Sequence, residues 1–455
     1  MKALLQSPLW SQSIGLSVAR IVGALAGLAS QIILARFLGA DELGTFYFAS
    51  SAALIIGSIA ALGYSGTANR LVVRYRLRRD ISSLEGFVAT AWKDAGLMAT
   101  LCLGPIIAVI MLSGHASSSL ALAIAAAAGV PAFALLRVNG GLANALRHHG
   151  LSFLPDNLLR PVLLAGVVAA IWFGGYQADV SGLLAVSSGL AIMLAVGQMV
   201  LLRRALAGAD DRFSVRHALG SRPDRRQVSL WRGSGRLLVT QLLINGMFAD
   251  VMILLAGFML ASAQLGIFGL AVKIAFLLGF IIQATHQIVM PAIAEHLALR
   301  EKHSAKQLID RANVMAIAVT GGGLAAFFLF GQQLLGLFGA EFQSGFWVLI
   351  ILAVSQLARA AAGPALSLLI AGGKQDSSLG PHILAPFLFA LALAALGPSH
   401  GSIGAALAAL ITVVTTGVWM AWLASREMFI RCDAMTMFAR PSHLLSPTIT
   451  RETNA

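Results

Sequence analysis

Long apolar runs separated by short polar stretches occupy almost the whole chain. Each run has about 20 residues, the length that a helix needs to cross a hydrocarbon core of about 30 Å. The runs are too long and continuous for barrel strands, and a backbone in lipid must satisfy its own hydrogen bonds, so each run predicts a transmembrane helix. The pattern therefore predicts an all-α polytopic membrane protein with about twelve spans, at residues 12–35, 45–67, 95–113, 119–146, 158–174, 182–202, 237–258, 264–289, 312–336, 346–371, 382–397 and 402–424.

The composition excludes a soluble protein. Of 455 residues, 58% are hydrophobic and only 11% are charged, which is too little polar surface to cover a soluble globule of that size. The two cysteines, Cys102 and Cys432, fall in a predicted span and in the polar tail, so no disulfide or metal-binding spacing is present. We expect neither a cofactor nor a metal.

Basic residues orient the predicted spans. They cluster after the second span, between the sixth and seventh, and after the eighth, whereas loops such as "SGHASS", "FGAEFQSG" and "GPSHGS" contain no Lys or Arg. By the positive-inside rule the basic loops are cytoplasmic, and both termini then lie in the cytoplasm. Topology signals and contacts with anionic lipid headgroups account for most of the net charge of +13, so no nucleic-acid partner is expected.

A repeated phrase divides the chain into two halves. "LGTF" at 43–46 returns as "LGIF" at 265–268, and the same offset in residue number relates Arg137, Gly141, Ala143, Leu146 and Gly150 to Arg359, Gly363, Ala365, Leu368 and Gly372. Because each half holds six spans, the halves are parallel repeats, and a cavity between two such bundles is typical of alternating-access transporters. We predict six-helix bundles at 1–202 and 237–424, a basic cytoplasmic linker at 203–236 and a cytoplasmic tail at 425–455.

Four cations lie away from the ends of the predicted spans: Arg20, Arg137, Lys273 and Arg359. Each costs about 2.5 to 3.5 kcal/mol at the bilayer centre and therefore usually faces a cavity or a partner. Arg20 shares a helical face with Ser13, Ser17, Gly27 and Gln31, which favours a wet lumen. We predict that these cations bind an anionic substrate. Polar faces that join helices to one another remain the alternative.

Asp250 is the only carboxylate deep within a predicted span. Such a group can bind Na⁺ or take up a proton and so couple transport to an ion gradient. A fixed ion pair with Arg20 or Lys273 is the alternative, and the sequence leaves both open.

The stretch "ARFLGADELGTFYFASSAALIIGSIAALGYSGTANRLVVR", residues 35–74, resembles the N-terminal signature of Wzx-type polysaccharide flippases of the multidrug/oligosaccharidyl-lipid/polysaccharide (MOP) exporter superfamily. The residues that carry the resemblance are Ala35, Arg36, Leu38, Gly39, Gly44, Phe46, Gly63 and Arg70. It implies a MATE-like fold in a bacterial inner membrane and transfer of a polyprenyl-diphosphate-linked oligosaccharide from the cytoplasmic to the periplasmic leaflet. For Arg36 we favour a role in stabilising the turn or anchoring the span, because the second repeat has Gly257 at that place.

Two other functions remain open. Multidrug antiporters of the same superfamily share twelve spans and paired halves, but usually have acidic cavities. A polysaccharide polymerase or ligase would act on the same lipid-linked sugars, but such enzymes usually need a larger periplasmic loop than any found here. We therefore predict a monomeric transporter rather than an enzyme, with polysaccharide polymerase and chain-length machinery as candidate partners, and with coupling to H⁺ or Na⁺ undecided.

Overall fold

The structure is a computed structural model that describes residues 8–113, 119–209, 224–233, 247–299 and 301–434, with the backbone alone for 8–21. Helices cover nearly all of these residues, and no strand occurs among them. The helices are α1 (Pro8–Ala60), α2 (Tyr64–Arg78), α3 (Ile81–Leu101), α4 (Leu103–Met111), α5 (Leu120–Ala145), α6 (His149–Leu154), α7 (Arg160–Phe173), α8 (Val180–Ala209), α9 (Phe248–Gly257), α10 (Ser262–Ala298), α11 (Lys302–Gly336), α12 (Phe346–Ala361), α13 (Ala365–Ala371) and α14 (Leu379–Met428). A π turn at Pro155–Leu159 joins α6 to α7, and 3-10 turns at Ala340–Gly345 and Gln375–Ser378 precede α12 and α14.

Helix α1 reverses direction at Gly39, so it consists of two antiparallel arms. Gly39 has φ 71° and ψ 176°, a conformation that side chains disfavour and glycine tolerates. The Tyr47 hydroxyl donates to Gln31 Oε1 at 2.5 Å, although a straight helix would place these residues about 24 Å apart. The phrase at 34–46 is therefore a helical hairpin, with Arg36 at the end of the first arm.

Helix α14 reverses in the same way at Gly401, which has φ 54° and ψ −129°. A Cβ atom on Gly404 would lie 2.3 Å from the carbonyl oxygen of Leu396, whereas about 12 Å would separate these residues in a straight helix. This reversal falls between the eleventh and twelfth predicted spans.

Within the described residues, nine helical stretches are long and apolar enough to cross a membrane. Two of them contain the reversals at Gly39 and Gly401 and so supply two arms each. The seventh predicted span, 237–258, is represented by the short apolar helix α9, because residues 234–246 lie outside the described part. The protein is an all-α, multi-pass membrane protein, and the count of twelve spans stays a prediction.

The internal repeat has matching helix contacts in the two halves. A Cβ atom on Gly57 would lie 2.7 Å from Phe133 Cβ and 3.3 Å from the amide nitrogen of Ala134. One on Gly279, the repeat equivalent of Gly57, would lie 2.6 Å from Gln356 Oε1, and Gln356 is the repeat of Ala134. The same two helices thus pack together at a glycine in each half.

The sequence predicts one constant offset between the repeats. The structure departs from it beyond residues 362–364, the break between α12 and α13. Helix α5 ends at Ala145 and α13 at Ala371, which lies further along the chain than the constant offset would place it. In the turn that follows, the residue with positive φ is Arg147 (64°) in the first half and Gly373 (69°) in the second. These two residues depart from the constant offset by the same number of positions as the two helix ends do. The break lengthens the second half, because α5 continues without interruption.

The chain forms two compact units. The first comprises Met1–Lys273, Gln332–Val348 and Leu393–Ala405; the second comprises Ile274–Gly331, Leu349–Ala392 and Ala406–Ala455. Each combines segments that are distant in sequence. The division into bundles at 1–202 and 237–424 stays a prediction.

In the first unit, part of the predicted linker packs on the bundle. Residues 225–233 are helical, and the Trp231 side chain is 1% exposed, with Nε1 donating to the Tyr75 hydroxyl at 2.9 Å. Arg232 donates two hydrogen bonds of 2.8 Å to the Asp94 carboxylate, which also accepts one from Tyr64 at 2.6 Å. These bonds raise the pKa of Arg232, which therefore stays charged.

In the second unit, the chain after α14 folds back onto the break between α12 and α13. The Cys432 carbonyl accepts a hydrogen bond of 2.7 Å from Asn313 Nδ2, and the Ala434 amide donates to the Ala361 carbonyl at 2.9 Å. A Cβ atom on Gly363 would lie 1.9 Å from the Cys432 carbonyl oxygen, so only glycine fits there.

Candidate functional site

Charged side chains from five helical segments meet in the first unit. They are Arg137 on α5, Asp156 in the π turn, Arg160 at the start of α7, Asp250 on α9 and Lys273 on α10. All five are half-buried in the protein. We call this set the charged cluster.

Lys273 is held against the aromatic ring of Tyr47. Its Nζ lies 5.0 Å from the ring centroid, within the range of a cation–π contact. Tyr47 is 1% exposed, and its hydroxyl donates to Gln31, which belongs to the same predicted helical face as Arg20. The rigid ring therefore fixes the position of the lysine cation.

Asp250 and Lys273 interact electrostatically, and Ser51 Oγ donates to Asp250 Oδ1 at 3.3 Å. The serine hydroxyl is a hydrogen-bond donor to this carboxyl group, and the lysine side chain carries the opposite charge. The fixed ion pair and the ion-coupling role of Asp250 both stay predictions. This arrangement is also a set of oxygen ligands that an incoming cation could share.

Arg160 is a member of the cluster that sequence analysis missed. Its Nε donates to Asp156 Oδ1 at 2.9 Å, and its guanidinium carbon lies 5.1 Å from the centroid of the Phe133 ring. The Asp156 carboxylate also interacts with Arg137, and Arg160 with Lys273. The signal was present in the sequence as "PDNLLRP", because paired prolines in a polar stretch at a span end indicate an irregular helix, and π turns occur often at functional sites.

The cluster holds three cations and two carboxylates, so one positive charge lacks a carboxylate. Several cations at a low-dielectric site favour an anion over any neutral ligand of the same size. Two of the cations are arginines, whose planar guanidinium matches the oxygen geometry of phosphates and carboxylates. The arrangement is suited to binding an anionic group and contains a carboxylate able to exchange its partner.

The five predicted site residues have three different outcomes. Arg137, Lys273 and Asp250 lie together in the charged cluster. Arg359 is an exposed side chain of the second unit, where it interacts electrostatically with His382. Arg20 lies on the first arm of α1, and its side chain is outside the described part. That arm contacts the π turn, because a Cβ atom on Gly23 would lie 3.2 Å from the Asn157 carbonyl oxygen.

Arg36 stabilises a turn, as the sequence favoured. Its Nε donates to the Leu337 carbonyl at 2.7 Å, at the end of α11. In return, Glu341 Oε1 accepts a hydrogen bond of 2.8 Å from the Ala40 amide, at the start of the second arm of α1. Each charged side chain thus caps the backbone of the other's turn and complements the helix dipole there.

Neighbouring glycines bring the two copies of the repeated phrase into backbone contact. A Cβ atom on Gly44 would lie 1.9 Å from the Ser262 carbonyl oxygen, and one on Gly266 would lie 2.0 Å from the Ala40 carbonyl oxygen. Residues 44 and 266 are repeat equivalents, so this crossing is self-complementary. No group of three or more metal-ligating side chains is found in the part of the chain described.

Known structures share this fold. One is a multidrug resistance MATE family transporter of the MOP superfamily in an inward-facing conformation, with a TM-score of 0.74, 15% identity and coverage of 90% of this chain and 94% of that one. Another is the lipid II flippase MurJ in an inward closed conformation, with a TM-score of 0.70, 11% identity and coverage of 90% and 87%. A third is a MOP superfamily transporter from Pyrococcus furiosus, described as having a binding pocket of reversed polarity that suggests a different function, with a TM-score of 0.56, 15% identity and coverage of 92% and 95%.

No family model and no curated protein matches the sequence. The similar solved structures show that the chain has a MATE-like fold. A shared fold does not define a function, so the function is argued from the residues of this chain.

Proposed function

We propose that the protein is a flippase that moves a polyprenyl-diphosphate-linked oligosaccharide from the cytoplasmic to the periplasmic leaflet of a bacterial inner membrane. The charged cluster is the observation that carries this proposal. Its excess positive charge suits a diphosphate, while an apolar polyprenyl tail remains in the surrounding lipid. The product supplies lipopolysaccharide, capsule or exopolysaccharide synthesis.

In the proposed cycle, Arg137, Arg160 and Lys273 replace water around the diphosphate. The headgroup would otherwise lose its hydration without compensation inside the membrane, which is costly for a multiply charged group. Binding of the anion loosens the attraction of Lys273 to Asp250. Asp250 is then able to take Na⁺ or a proton, which would bias the protein between inward-open and outward-open states.

The fold supports a transporter of this type. It is shared by a lipid II flippase, whose substrate is named in its description, and by a transporter with a pocket of reversed polarity. We propose that the chain acts as a monomer without enzymatic activity, has both termini in the cytoplasm, and delivers its product to polymerase and chain-length machinery.

A multidrug or cation antiporter is the second candidate, and the likeness to MATE transporters favours it. Asp250 would then be the drug-binding or ion-binding carboxylate. The excess of cations in the cluster is the argument against this candidate, because a cationic drug would be repelled. A polymerase or ligase is less well supported, because the similar structures described above are transporters and a flippase.

The test is a deletion strain in which both the surface polymer and the leaflet location of lipid-linked oligosaccharides are measured. The flippase proposal predicts loss of polymer, with repeat units accumulating on the cytoplasmic face. Intact polymer with increased sensitivity to cationic drugs would support the antiporter instead. Loss of polymer with units already on the periplasmic face would indicate a polymerase.

A further inference from the structure

We propose that Asn69 on α2, Asn144 on α5 and His149 on α6 form a sugar-binding subsite in the first unit. We call this set the polar chain. It recognises neutral hydroxyl groups, whereas the charged cluster binds the diphosphate. This inference rests on the proposed function, because it assigns the glycan part of that substrate to particular residues.

Hydrogen bonds join the three side chains of the polar chain. Asn144 Nδ2 donates to Asn69 Oδ1 at 3.0 Å. The Oδ1 atom of the same Asn144 side chain lies 2.9 Å from His149 Nδ1. Because a carboxamide oxygen can only accept, His149 Nδ1 is the donor in this bond. Side chains from three helices thus hold one another in a fixed order of donors and acceptors.

A close helix crossing brings the two amides together. A Cβ atom on Gly141 would lie 2.3 Å from Ser65 Cα, so α2 and α5 meet there through their backbones. Asn69 and Asn144 each lie about one turn beyond this crossing on their own helices. Helix α6 begins after the short turn that follows α5, and its first residue is His149. The backbone therefore determines where the three side chains meet.

The polar chain offers one donor and one acceptor at its ends. Asn69 Oδ1 is used by Asn144, and the Nδ2 group of Asn69 has no partner among the described residues. His149 donates from Nδ1, so the neutral ring has Nε2 as an acceptor. A hydroxyl group both donates and accepts, and neighbouring hydroxyls of a sugar can use both ends. A carboxylate cannot donate to Nε2, and an ammonium group cannot accept from Nδ2.

A ligand can reach the polar chain. Asn69 and Asn144 are exposed, and His149 is half-buried. An exposed hydrogen bond adds little to stability, because water competes for both partners. Side chains that are already held in place lose less freedom when a ligand binds than mobile ones do. The polar chain is therefore better suited to binding than to holding the helices together.

The polar chain and the charged cluster lie along the same pair of helices. Asn144 shares a face of α5 with Arg137, which precedes it by two turns, or about 10 Å along the helix axis. Helix α6 leads directly into the π turn that contains Asp156. A glycan whose diphosphate is bound at the charged cluster can therefore extend along α5 to the polar chain.

The second half of the repeat lacks these polar residues. At the constant offset, Asn69 corresponds to Pro291 and Asn144 to Leu366. In the lengthened register, Asn144 corresponds to Ile370, which is also apolar. Because the other half of the protein manages without these amides, they are not a requirement of the repeated helix arrangement. Recognition of a ligand gives them a role that is specific to the first unit.

Equilibrium binding to the purified protein in lipid nanodiscs tests the subsite. The two probes are undecaprenyl diphosphate, which carries no sugar, and the lipid-linked oligosaccharide extracted from the deletion strain. We expect the wild-type protein to bind the oligosaccharide probe about tenfold or more tightly than the sugar-free probe, because only the former can reach the polar chain.

Two variants separate sugar recognition from folding. Asn69→Asp keeps the oxygen that accepts from Asn144 and removes the donor, and Asn144→Leu introduces the residue found in the second half. Each should weaken binding of the oligosaccharide probe about tenfold, as for one lost hydrogen bond, and change binding of the sugar-free probe by less than about threefold. The matched control is Gln333→Leu, because Gln333 is an exposed amide on α11, and it should change neither. Melting temperatures confirm that each variant is folded.

Equal weakening of both probes would overturn the subsite, since the variants would then act on the diphosphate or on the structure. Unchanged binding of the oligosaccharide probe by both folded variants would overturn it as well. A wild-type protein that binds both probes with the same affinity would reject the subsite and retain the flippase function. A wild-type protein that binds neither probe would reject the flippase function, and the subsite with it.

Discussion

Replacement of Gly44 or Gly266 by alanine tests whether the repeated phrases cross in backbone contact. A Cβ atom on Gly44 would stand 1.9 Å from the Ser262 carbonyl oxygen, and one on Gly266 would stand 2.0 Å from that of Ala40. Ordinary contacts begin near 3.4 Å, so the helices must separate by more than 1 Å. Neither obstacle is a flexible side chain, and a backbone carbonyl cannot move without its helix.

The expected cost follows from this forced separation. Overpacking a well-packed contact costs about 1 to 3 kcal/mol, and a shift of two backbones belongs at the upper end. The side chains of Leu43 and Leu265, both 0% exposed, lie next to the crossing and would lose contacts as well. We expect each variant to lower the melting temperature by several degrees. The double variant should lower it by less than the sum of the two single effects, because a single separation of the helices makes room for both added methyl groups.

The assay is thermal unfolding in one detergent and at one heating rate, since membrane-protein unfolding is often irreversible. Gly197→Ala in α8 is the matched control, because a Cβ atom there meets nothing within 4 Å. That control should be neutral or stabilising, as alanine is favoured over glycine in a helix by up to about 1 kcal/mol. A Gly44→Ala variant with the same melting temperature as the Gly197→Ala control would refute the backbone crossing.

Three further predictions concern single contacts. Arg160→Gln should lower the free energy of unfolding by about 1 to 2 kcal/mol, because the Asp156 carboxylate then has one cationic neighbour fewer. Adding Asp156→Asn should recover part of this loss in the same melting assay. No recovery would argue against an interaction between Arg160 and Asp156. Glu341→Ala should cost about 1 kcal/mol, as for a lost helix cap, whereas Glu341→Gln keeps an acceptor oxygen and should cost less; equal losses would mean that the cap is not the cause. Burial raises the pKa of Cys432 to about 12, so in a Cys102→Ala background the folded protein should resist maleimide at neutral pH and react only after denaturation; rapid labelling of the folded protein would contradict the docked position of Cys432.

Much of the fold follows from the hydrophobic pattern, since runs of about 20 apolar residues have few alternatives to membrane-spanning helices. The reversals at Gly39 and Gly401 coincide with boundaries between predicted spans. The docking of Trp231 on Phe87 was not predicted, because a basic cytoplasmic stretch gives no period that indicates a buried face. Its ring stands 5.6 Å from that of Phe87, a contact that depends on the tertiary arrangement.

The site was predicted less completely than the fold. Lys273 and Asp250 were singled out as candidates because an isolated charge within an apolar run is conspicuous. Arg160 was missed because it lies at a span end, where basic residues are common and usually contact headgroups. The register of the second repeat was misread after Gly363, because an insertion at a helix break leaves no clear mark in a run of alanines.

Transport of the lipid-linked oligosaccharide is the central claim, and a reconstituted assay tests it most directly. Proteoliposomes carrying a fluorescent polyprenyl-diphosphate oligosaccharide would be compared for wild type, Lys273→Met and the exposed-residue control Arg311→Gln, with the fraction of headgroups on each leaflet measured over time. The account predicts transfer by wild type and by Arg311→Gln, and strongly reduced transfer by Lys273→Met. No transfer above protein-free liposomes by a folded wild-type protein that binds cationic drugs would contradict it.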